Sequence, residues 1–225
     1  MIRLLFVGDV MGSAGRRAVR THLESVVDRE KVDFVVANVE NAAGGFGITA
    51  KVLAELEEQP VDVFTTGNHV WDKKEGVPLL DAHPSLLRPA NYPAGNPGRG
   101  WCVEETASGV PVAVINLQGQ ALMAPIDNAF RCADQVLEEI HTAHPEVRVI
   151  LVDMHAEATS EKQGMGWYLA GRVTAVLGTH THVPTADERI LPQGTAFQTD
   201  VGMTGPYESV IGMRPEKVLE RFLFN

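Results

Sequence analysis

Five separate segments of this 225-residue chain carry side chains of the kinds that bind divalent metals, and each segment follows an apolar run. The seven candidate ligands are Asp9, Glu40, Asn41, Asn68, His155, His180 and His182. A carboxylate can bridge two cations, an amide oxygen can complete a coordination shell, and imidazole binds several transition metals. This oxygen-rich set without cysteine predicts a two-metal centre that holds iron, manganese or zinc rather than copper.

The segment Gly178-Thr179-His180-Thr181-His182 is the most specific of the five. Two imidazoles at positions i and i+2 of an extended chain would point the same way and could face one cluster. The other segments also fit simpler roles when each is considered alone. Asp9 could cap a helix, Glu40-Asn41 could stabilise a loop, and His155 could be an ordinary buried histidine. Their joint occurrence after five apolar runs indicates a common centre.

The first third of the chain alternates strand and helix patterns. Strands are predicted at 2–7, 32–36 and 61–66, and helices at 14–28 and 49–57. This βαβαβ order predicts a buried, largely parallel sheet. In open α/β folds, ligands gather at the carboxyl ends of the strands, which is where the candidate ligands lie.

A hairpin and later strands in the second half indicate a sheet of mixed direction. The predicted elements are strands at 101–106, 110–117, 147–152, 173–177 and 195–199, and a helix at 128–141. The chain has no linker-like stretch, so one domain over residues 1–225 is expected.

The composition limits the classes of partner. With 29 acidic and 19 basic residues the net charge is -10, which argues against a long nucleic-acid footprint. A small anionic substrate held by cations remains compatible with this charge. No apolar stretch approaches the roughly 20 residues of a membrane span, and no signal-peptide pattern begins the sequence. We therefore expect a cytoplasmic protein without a membrane segment; a homo-oligomer stays open.

The order of these motifs closely resembles the calcineurin-like metallophosphoesterase superfamily, and more narrowly its YmdB-like bacterial branch. The broader resemblance lies in Gly8-Asp9, Glu40-Asn41, Gly67-Asn68-His69, His155 and the segment from Gly178 to His182. The narrower one also includes residues 38–45, 155–162, 178–187 and 200–205. Met11 replaces a histidine of the broad pattern, and Glu40-Asn41 replaces its second motif; both departures are typical of the branch.

The resemblance implies a four-layer α/β/β/α sandwich, an α/β fold with two mixed sheets flanked by helices. It also implies a distribution of ligands over two divalent or di/trivalent ions. The first ion would be held by Asp9, Asn41 and His182. The second would be held by Asn68, His155 and His180, with Glu40 bridging the two.

The implied activity is hydrolysis of small phosphodiesters, above all 2',3'-cyclic nucleotides and also 3',5'-cyclic nucleotides. A hydroxide held by two cations would attack phosphorus in line, and His69 would protonate the departing oxygen as general acid. Two alternatives stay open on the same centre. One is a phosphomonoesterase or nucleotidase, and the other is a metal-stabilised nucleotide sensor with little turnover.

The residues that bind substrate are not determined by the sequence. Lys162 and Arg189 are candidates for phosphate contacts, although the sequence favours solvated side chains for both. Phe46, Trp71 and Trp167 follow ligand motifs and could stack on a base, or could belong to the core or a lid.

Overall fold

The first of two β-sheets lies in the N-terminal part of the computed structural model, which describes residues 2–224. Its strands β1 (Leu4–Val7), β2 (Phe34–Asn38) and β3 (Val63–Thr65) are parallel and adjacent in that order. Helices α1 (Gly12–Glu30) and α2 (Ala50–Glu57) form the two crossovers. The predicted βαβαβ unit is therefore confirmed. A short helix, α3 (Leu79–Ala82), follows later in the chain.

The second sheet has six strands in the order β4-β5-β6-β7-β9-β8. The strands are β4 (Trp101–Glu105), β5 (Pro111–Gln118), β6 (Val149–His155), β7 (Ala175–Thr179), β8 (Arg189–Ile190) and β9 (Ala196–Gln198). The helices that follow β5, β6 and β9 in the chain are α4 (Ala129–Ala143), α5 (Thr159–Leu169) and α6 (Pro215–Phe224).

The strand directions correct one detail of the predicted fold. In the second sheet the four central strands are parallel and the edge strands β4 and β8 are antiparallel, so this sheet is mixed as expected. The first sheet is parallel throughout, because both of its connections are helical crossovers rather than hairpins. The expectation of two mixed sheets therefore holds for the second sheet alone.

Successive residues of the central strands pack in different apolar clusters, which shows how the layers stack. In β2, Phe34 and Val36 pack in an apolar cluster with Val112 and Val114 of β5, whereas Val35 of the same strand packs with residues of α1 and α2. Successive strand residues point to opposite faces, so each central strand contributes to two cores. The residues of β5 that alternate with Val112 and Val114 pack against α4 and α5. The order of layers is α/β/β/α, as the resemblance implied.

Two predicted helices begin at a residue whose side chain caps the helix. Thr49 accepts a hydrogen bond from the backbone N–H of Val52 at the start of α2. Asn128 accepts hydrogen bonds from the backbone N–H groups of Phe130 and Arg131 at the start of α4. Such caps satisfy backbone donors that the helix itself leaves free. Between residues 2 and 224, no helix has the length and apolar character needed to cross a membrane.

Candidate metal centre

The candidate ligands meet at the carboxyl ends of five parallel strands, three in the first sheet and two in the second. His155 is the last residue of β6, and His180 follows β7 directly. Asp9, Glu40 and Asn68 come shortly after the ends of β1, β2 and β3. Because the two sheets pack face to face, these strand ends form one edge of the sandwich. The predicted location at strand ends is therefore confirmed.

His155 is the centre of one group of candidate ligands. Its Nε2 atom lies 3.1 Å from Glu40 Oε1, 3.1 Å from Asn68 Oδ1 and 3.1 Å from His180 Nδ1. Glu40, His155 and His180 each offer one ligand atom, and these atoms lie within 4.8 Å of one another. Side chains from both sheets could therefore bind one metal ion at this point.

His182 is the centre of a second group. Its Nε2 atom lies 3.3 Å from Asn41 Oδ1 and 3.8 Å from Asp9 Oδ1. The other ring nitrogen, Nδ1, donates a hydrogen bond to the backbone carbonyl of Ile211 at 2.8 Å. This bond places a proton on Nδ1 and leaves Nε2 as the ligand atom.

Asp9 contacts both groups and Glu40 belongs to the first, and each carboxylate has one oxygen without a hydrogen-bond partner. Asp9 Oδ2 accepts the backbone N–H of His180 at 3.2 Å, and Glu40 Oε2 accepts the backbone N–H of His69 at 3.0 Å. Their other oxygens, Asp9 Oδ1 and Glu40 Oε1, are buried, and no residue of the described chain forms a hydrogen bond with them. Glu40 Oε1 is at ion-pair distance from His155 Nε2 without forming a hydrogen bond with it. Cations would satisfy both oxygens, so the donor set fits a metal centre.

The charges in this cluster are strongly coupled. Burial disfavours ionisation of both Glu40 and His155, but their mutual attraction outweighs it, so the pKa of Glu40 falls to about 2 and the pKa of His155 rises to about 9. Burial, followed by the positive charge of His155, lowers the pKa of His180 to about 3. Burial raises the pKa of Asp9 to about 6. Without metal, a proton on His155 therefore balances Glu40, and a cation would take its place.

The backbone around His180 and His182 differs from the expected extended chain. Both residues lie just beyond β7, with φ angles of +97° and +66°. This left-handed region is unfavourable for residues other than glycine, and such conformations concentrate at functional sites. The two imidazoles do face the candidate ligands, but the extended geometry predicted for them is wrong. Because both residues are left-handed, the His180 ring lies beside His155 and the His182 ring lies beside Asn41.

A model of the YmdB-like protein family matches residues 5–225. The chain belongs to the YmdB-like family. A Bacillus subtilis (strain 168) relative named 2',3'-cyclic-nucleotide 2'-phosphodiesterase is 49% identical over 224 residues, covering 100% of this chain and 83% of that protein. A Mycoplasma pneumoniae relative named as a phosphatase/phosphodiesterase is 37% identical over 228 residues, covering 98% of this chain and 79% of the relative.

Two crystal structures share the fold. One is a hypothetical protein from Thermus thermophilus, with a TM-score of 0.92, 47% identity and coverage of 99% of this chain and 85% of that chain. The other is described as a novel phosphatase from Mycoplasma pneumoniae, with a TM-score of 0.90, 36% identity and coverage of 98% and 79%. The resemblance to the YmdB-like branch, stated above from motifs, is thus confirmed over nearly the whole chain.

A cavity of about 730 Å³ opens directly in front of the ligand cluster of this YmdB-like protein. Glu40, Asn41, His180 and His182 contribute to its inner wall. His69 also lines it, and the Nδ1 atom of His69 lies 2.7 Å from Asp72 Oδ2. This contact orients the ring and leaves Nε2 as the nitrogen that could exchange a proton with a bound molecule.

The aromatic and basic side chains considered for substrate binding differ in whether they line the cavity. Phe46 lines the cavity, with its ring centre 4.9 Å from that of His69. Trp71 instead packs on Tyr92, and Trp167 packs beneath the guanidinium of Arg189 at 5.9 Å. Neither tryptophan lines the cavity, and the arginine does not line it either. Among these candidates, Phe46 alone remains in a position to contact a ligand there.

Lys162 is neither a phosphate contact nor a solvated side chain. It is 1% exposed, and its Nζ atom lies 2.5 Å from Asp200 Oδ2. The same Asp200 oxygen accepts hydrogen bonds from the backbone N–H and hydroxyl groups of Thr181, at 3.2 and 2.8 Å. Lys162 therefore stabilises the buried carboxylate that holds the segment between His180 and His182. Both interpretations of Lys162 from sequence were wrong.

Sequence reasoning missed the contribution of helix α6 and the loop before it to the cavity. Lys217, Val218, Arg221 and Phe222 line it from α6, and Ile211 lines it from the preceding loop. The spacing of Lys217 and Arg221, four residues apart within a helix, places them on one helix face. That spacing is visible in the sequence, but it does not indicate which surface the face approaches.

Proposed function

We propose that this YmdB-like protein is a metal-dependent phosphodiesterase that hydrolyses 2',3'-cyclic nucleotides, with 3',5'-cyclic nucleotides as a second substrate class. The observation that carries the proposal is the pair of buried carboxylate oxygens, Asp9 Oδ1 and Glu40 Oε1, that lack hydrogen-bond partners beside a cluster of imidazoles and amides. The Bacillus subtilis relative, a protein named 2',3'-cyclic-nucleotide 2'-phosphodiesterase, supports the substrate class.

The two groups of contacts support a division of the ligands between two ions. We assign Asp9, Asn41 and His182 to one ion, since the latter two are in contact and Asp9 lies nearby. We assign Asn68, His155 and His180 to the other, since both partners lie 3.1 Å from His155 Nε2. Glu40 is the proposed bridge. Iron or manganese fits this oxygen and nitrogen donor set, and zinc is a third option.

Divalent ions in such a centre supply hydroxide near neutral pH and offset the charge of a phosphoryl group. The protein itself supplies the proton for the departing oxygen. His69 lies beside the ligand Asn68 and lines the cavity, so we propose it as the general acid. Asp72 keeps the ring oriented through Nδ1, and Nε2 donates the proton.

The cavity accounts for binding of a nucleotide. A volume of about 730 Å³ is in the range of small-molecule sites. We propose that Phe46 contacts the base, because it is the aromatic side chain beside His69 in this cavity. Lys217 and Arg221, which line the same cavity, would offset the negative charge of a phosphate in a protein whose net charge is -10.

The experiment that tests the proposal combines metal content with turnover. Protein purified without chelator is subjected to elemental analysis, and hydrolysis of 2',3'-cyclic AMP is measured before stripping, after stripping and after addition of manganese. About two metals per chain with metal-dependent turnover is the expected result. Two metals without turnover would contradict this activity, and failure to bind any metal would contradict the centre itself.

A second candidate function is phosphomonoesterase activity on the same centre, favoured by the word phosphatase in the names of the Mycoplasma pneumoniae protein and structure. A cavity that admits a dianion would allow it. Comparison of bis(4-nitrophenyl) phosphate with 4-nitrophenyl phosphate separates the two activities. A preference for the diester supports the phosphodiesterase. The sensor alternative is less well supported, because it gives no role to His69.

We also propose that the chain forms one domain. The two sheets share the apolar layer that includes Phe34, Val36 and Val114, so neither sheet would keep both faces covered without the other.

A further inference from the structure

A series of buried, hydrogen-bonded side chains continues from the Nδ1 atom of His155 to Thr179 and Asp153, neither of which lines the cavity. His155 Nδ1 lies 2.9 Å from Thr179 Oγ1, and Thr179 Oγ1 lies 2.6 Å from Asp153 Oδ1. All three residues are fully buried. Parallel pairing of β6 with β7 sets His155 directly beside Thr179. Asp153 precedes His155 by two positions in β6 and therefore points to the same face.

The hydrogen bonds around Asp153 determine which atom donates and which accepts between Asp153, Thr179 and His155. Its other oxygen, Oδ2, accepts the hydroxyl of Thr65 at 2.5 Å and the side-chain amide of Asn38 at 3.0 Å. Thr179 donates its only hydroxyl proton to Oδ1. The Thr179 oxygen can then only accept from His155, so the ring nitrogen Nδ1 carries a proton.

We infer that Thr179 and Asp153 are positioning residues that hold the proton of His155 at Nδ1 and direct its Nε2 lone pair into the ligand cluster. This inference rests on the proposed metal centre but not on the proposed substrate. An opposing influence is also present, because Glu40 Oε1 and Asn68 Oδ1 both lie 3.1 Å from Nε2 and would attract a proton there. A proton on Nε2 would block the ligand atom.

These hydrogen-bonded side chains also join the two sheets. Asn38 ends β2 and Thr65 ends β3, whereas Asp153 and Thr179 belong to β6 and β7. Asp153 therefore accepts hydrogen bonds from side chains of the first sheet and, through Thr179, orients a candidate ligand of the second sheet. Partners of this kind orient the ligands of metal sites in general, and their loss lowers metal affinity about 10- to 100-fold.

The test compares Thr179→Val with Thr179→Ser. Valine has nearly the shape of threonine but no hydroxyl, whereas serine keeps the hydroxyl. Manganese affinity is measured by competition with a chelator, and the Nδ1–H resonance of His155 is followed by ¹H–¹⁵N NMR in zinc-loaded protein. We expect Thr179→Val to lose about 10- to 100-fold in affinity and its slowly exchanging Nδ1–H resonance. We expect Thr179→Ser to retain both.

Thr65→Val is the matched control. It removes a hydroxyl from the same carboxylate of Asp153 without removing the partner of His155. A smaller loss of affinity than in Thr179→Val, with the Nδ1–H resonance retained, supports the inference. Equal losses in Thr65→Val and Thr179→Val would show general damage to the buried network and would overturn it.

Two further results would also overturn the inference. One is a Thr179→Val protein that binds manganese as tightly as the wild type and keeps the resonance. The other is a wild-type protein that binds no metal. A wild type that binds metal but does not hydrolyse cyclic nucleotides would instead contradict the proposed substrate. The affinity and NMR measurements would then still decide the roles of Thr179 and Asp153.

Discussion

Glu40 Oε1 and His155 Nε2 lie 3.1 Å apart, and neither side chain is more than 1% exposed. The two residues come from different sheets, Glu40 after β2 and His155 at the end of β6. Without a metal they form a buried ion pair, and breaking such a pair from one side leaves an uncompensated charge. The pair therefore links the stability of the protein, its metal affinity and the pH.

The metal-free protein should lose stability as the pH rises from about 6.5 to about 9. The pKa of His155 is raised from 6.5 to about 9, so the stabilising proton is fully present below pH 6.5 and is lost as the pH passes through about 9. The lowered pKa of Glu40 acts only in acid, as the pH falls towards about 2. Urea unfolding on either side of this range, once below the ordinary histidine pKa and once above the raised one, measures the change.

Metal affinity should change in the opposite direction over the same range. A cation competes with the proton on His155, so affinity for manganese should increase as the pH rises towards about 9. The double variant Glu40→Gln/His155→Gln serves as the control for stability, because it removes both partners of the ion pair and should flatten the pH dependence of the free energy of unfolding. A metal-free wild type that is equally stable at both ends of the range would contradict the assignment of the ion pair.

Gly67→Ala should abolish metal binding. A Cβ atom at position 67 would lie well inside contact distance of the His155 ring and of Glu40 Oε2, so the two candidate ligands would be pushed apart. Gly164→Ala, within α5, is the matched control, since its added Cβ would lie 3.4 Å from the ring of Phe130 in α4. We expect both variants to fold. Elemental analysis should find metal in Gly164→Ala alone. Normal metal content in Gly67→Ala would refute this geometry.

His69→Ala should lower turnover by about 10²- to 10⁴-fold for substrates with a poor leaving group, because the departing oxygen loses its proton donor. The loss should be much smaller for 4-nitrophenyl esters, which leave without protonation. Metal content should stay unchanged, since His69 is not among the proposed ligands. Equal losses on both substrate types would exclude His69 as the general acid and favour a role in binding.

Lys162→Met should lower the free energy of unfolding by about 3–5 kcal/mol, because Asp200 would remain buried without its cationic partner. Lys217→Met is the control: its pair with Glu220 at 3.0 Å is exposed, so the expected change is below about 1 kcal/mol. Urea unfolding compares the two variants. Similar losses in both would argue against the buried pair as the cause.

Much of the fold could be predicted because its signals are local. The apolar runs and helical periods of the first third specify βαβαβ, and Thr49 and Asn128 mark helix starts within a few residues. The direction of sheet pairing followed from the lengths of the connections. The assumption that both sheets are mixed failed for the first sheet, because β1, β2 and β3 pair in chain order through helical crossovers and no antiparallel strand joins them in the described structure.

The sequence by itself determined which residue types reach the carboxyl ends of the strands, because residue order and strand length fix that placement. It could not determine which side chains face each other there. The left-handed turns at His180 and His182, the burial of Lys162 against Asp200 and the approach of α6 to the cavity all depend on contacts between distant segments. Only the tertiary structure decided these, since burial and hydrogen-bond geometry arise when the two sheets pack together.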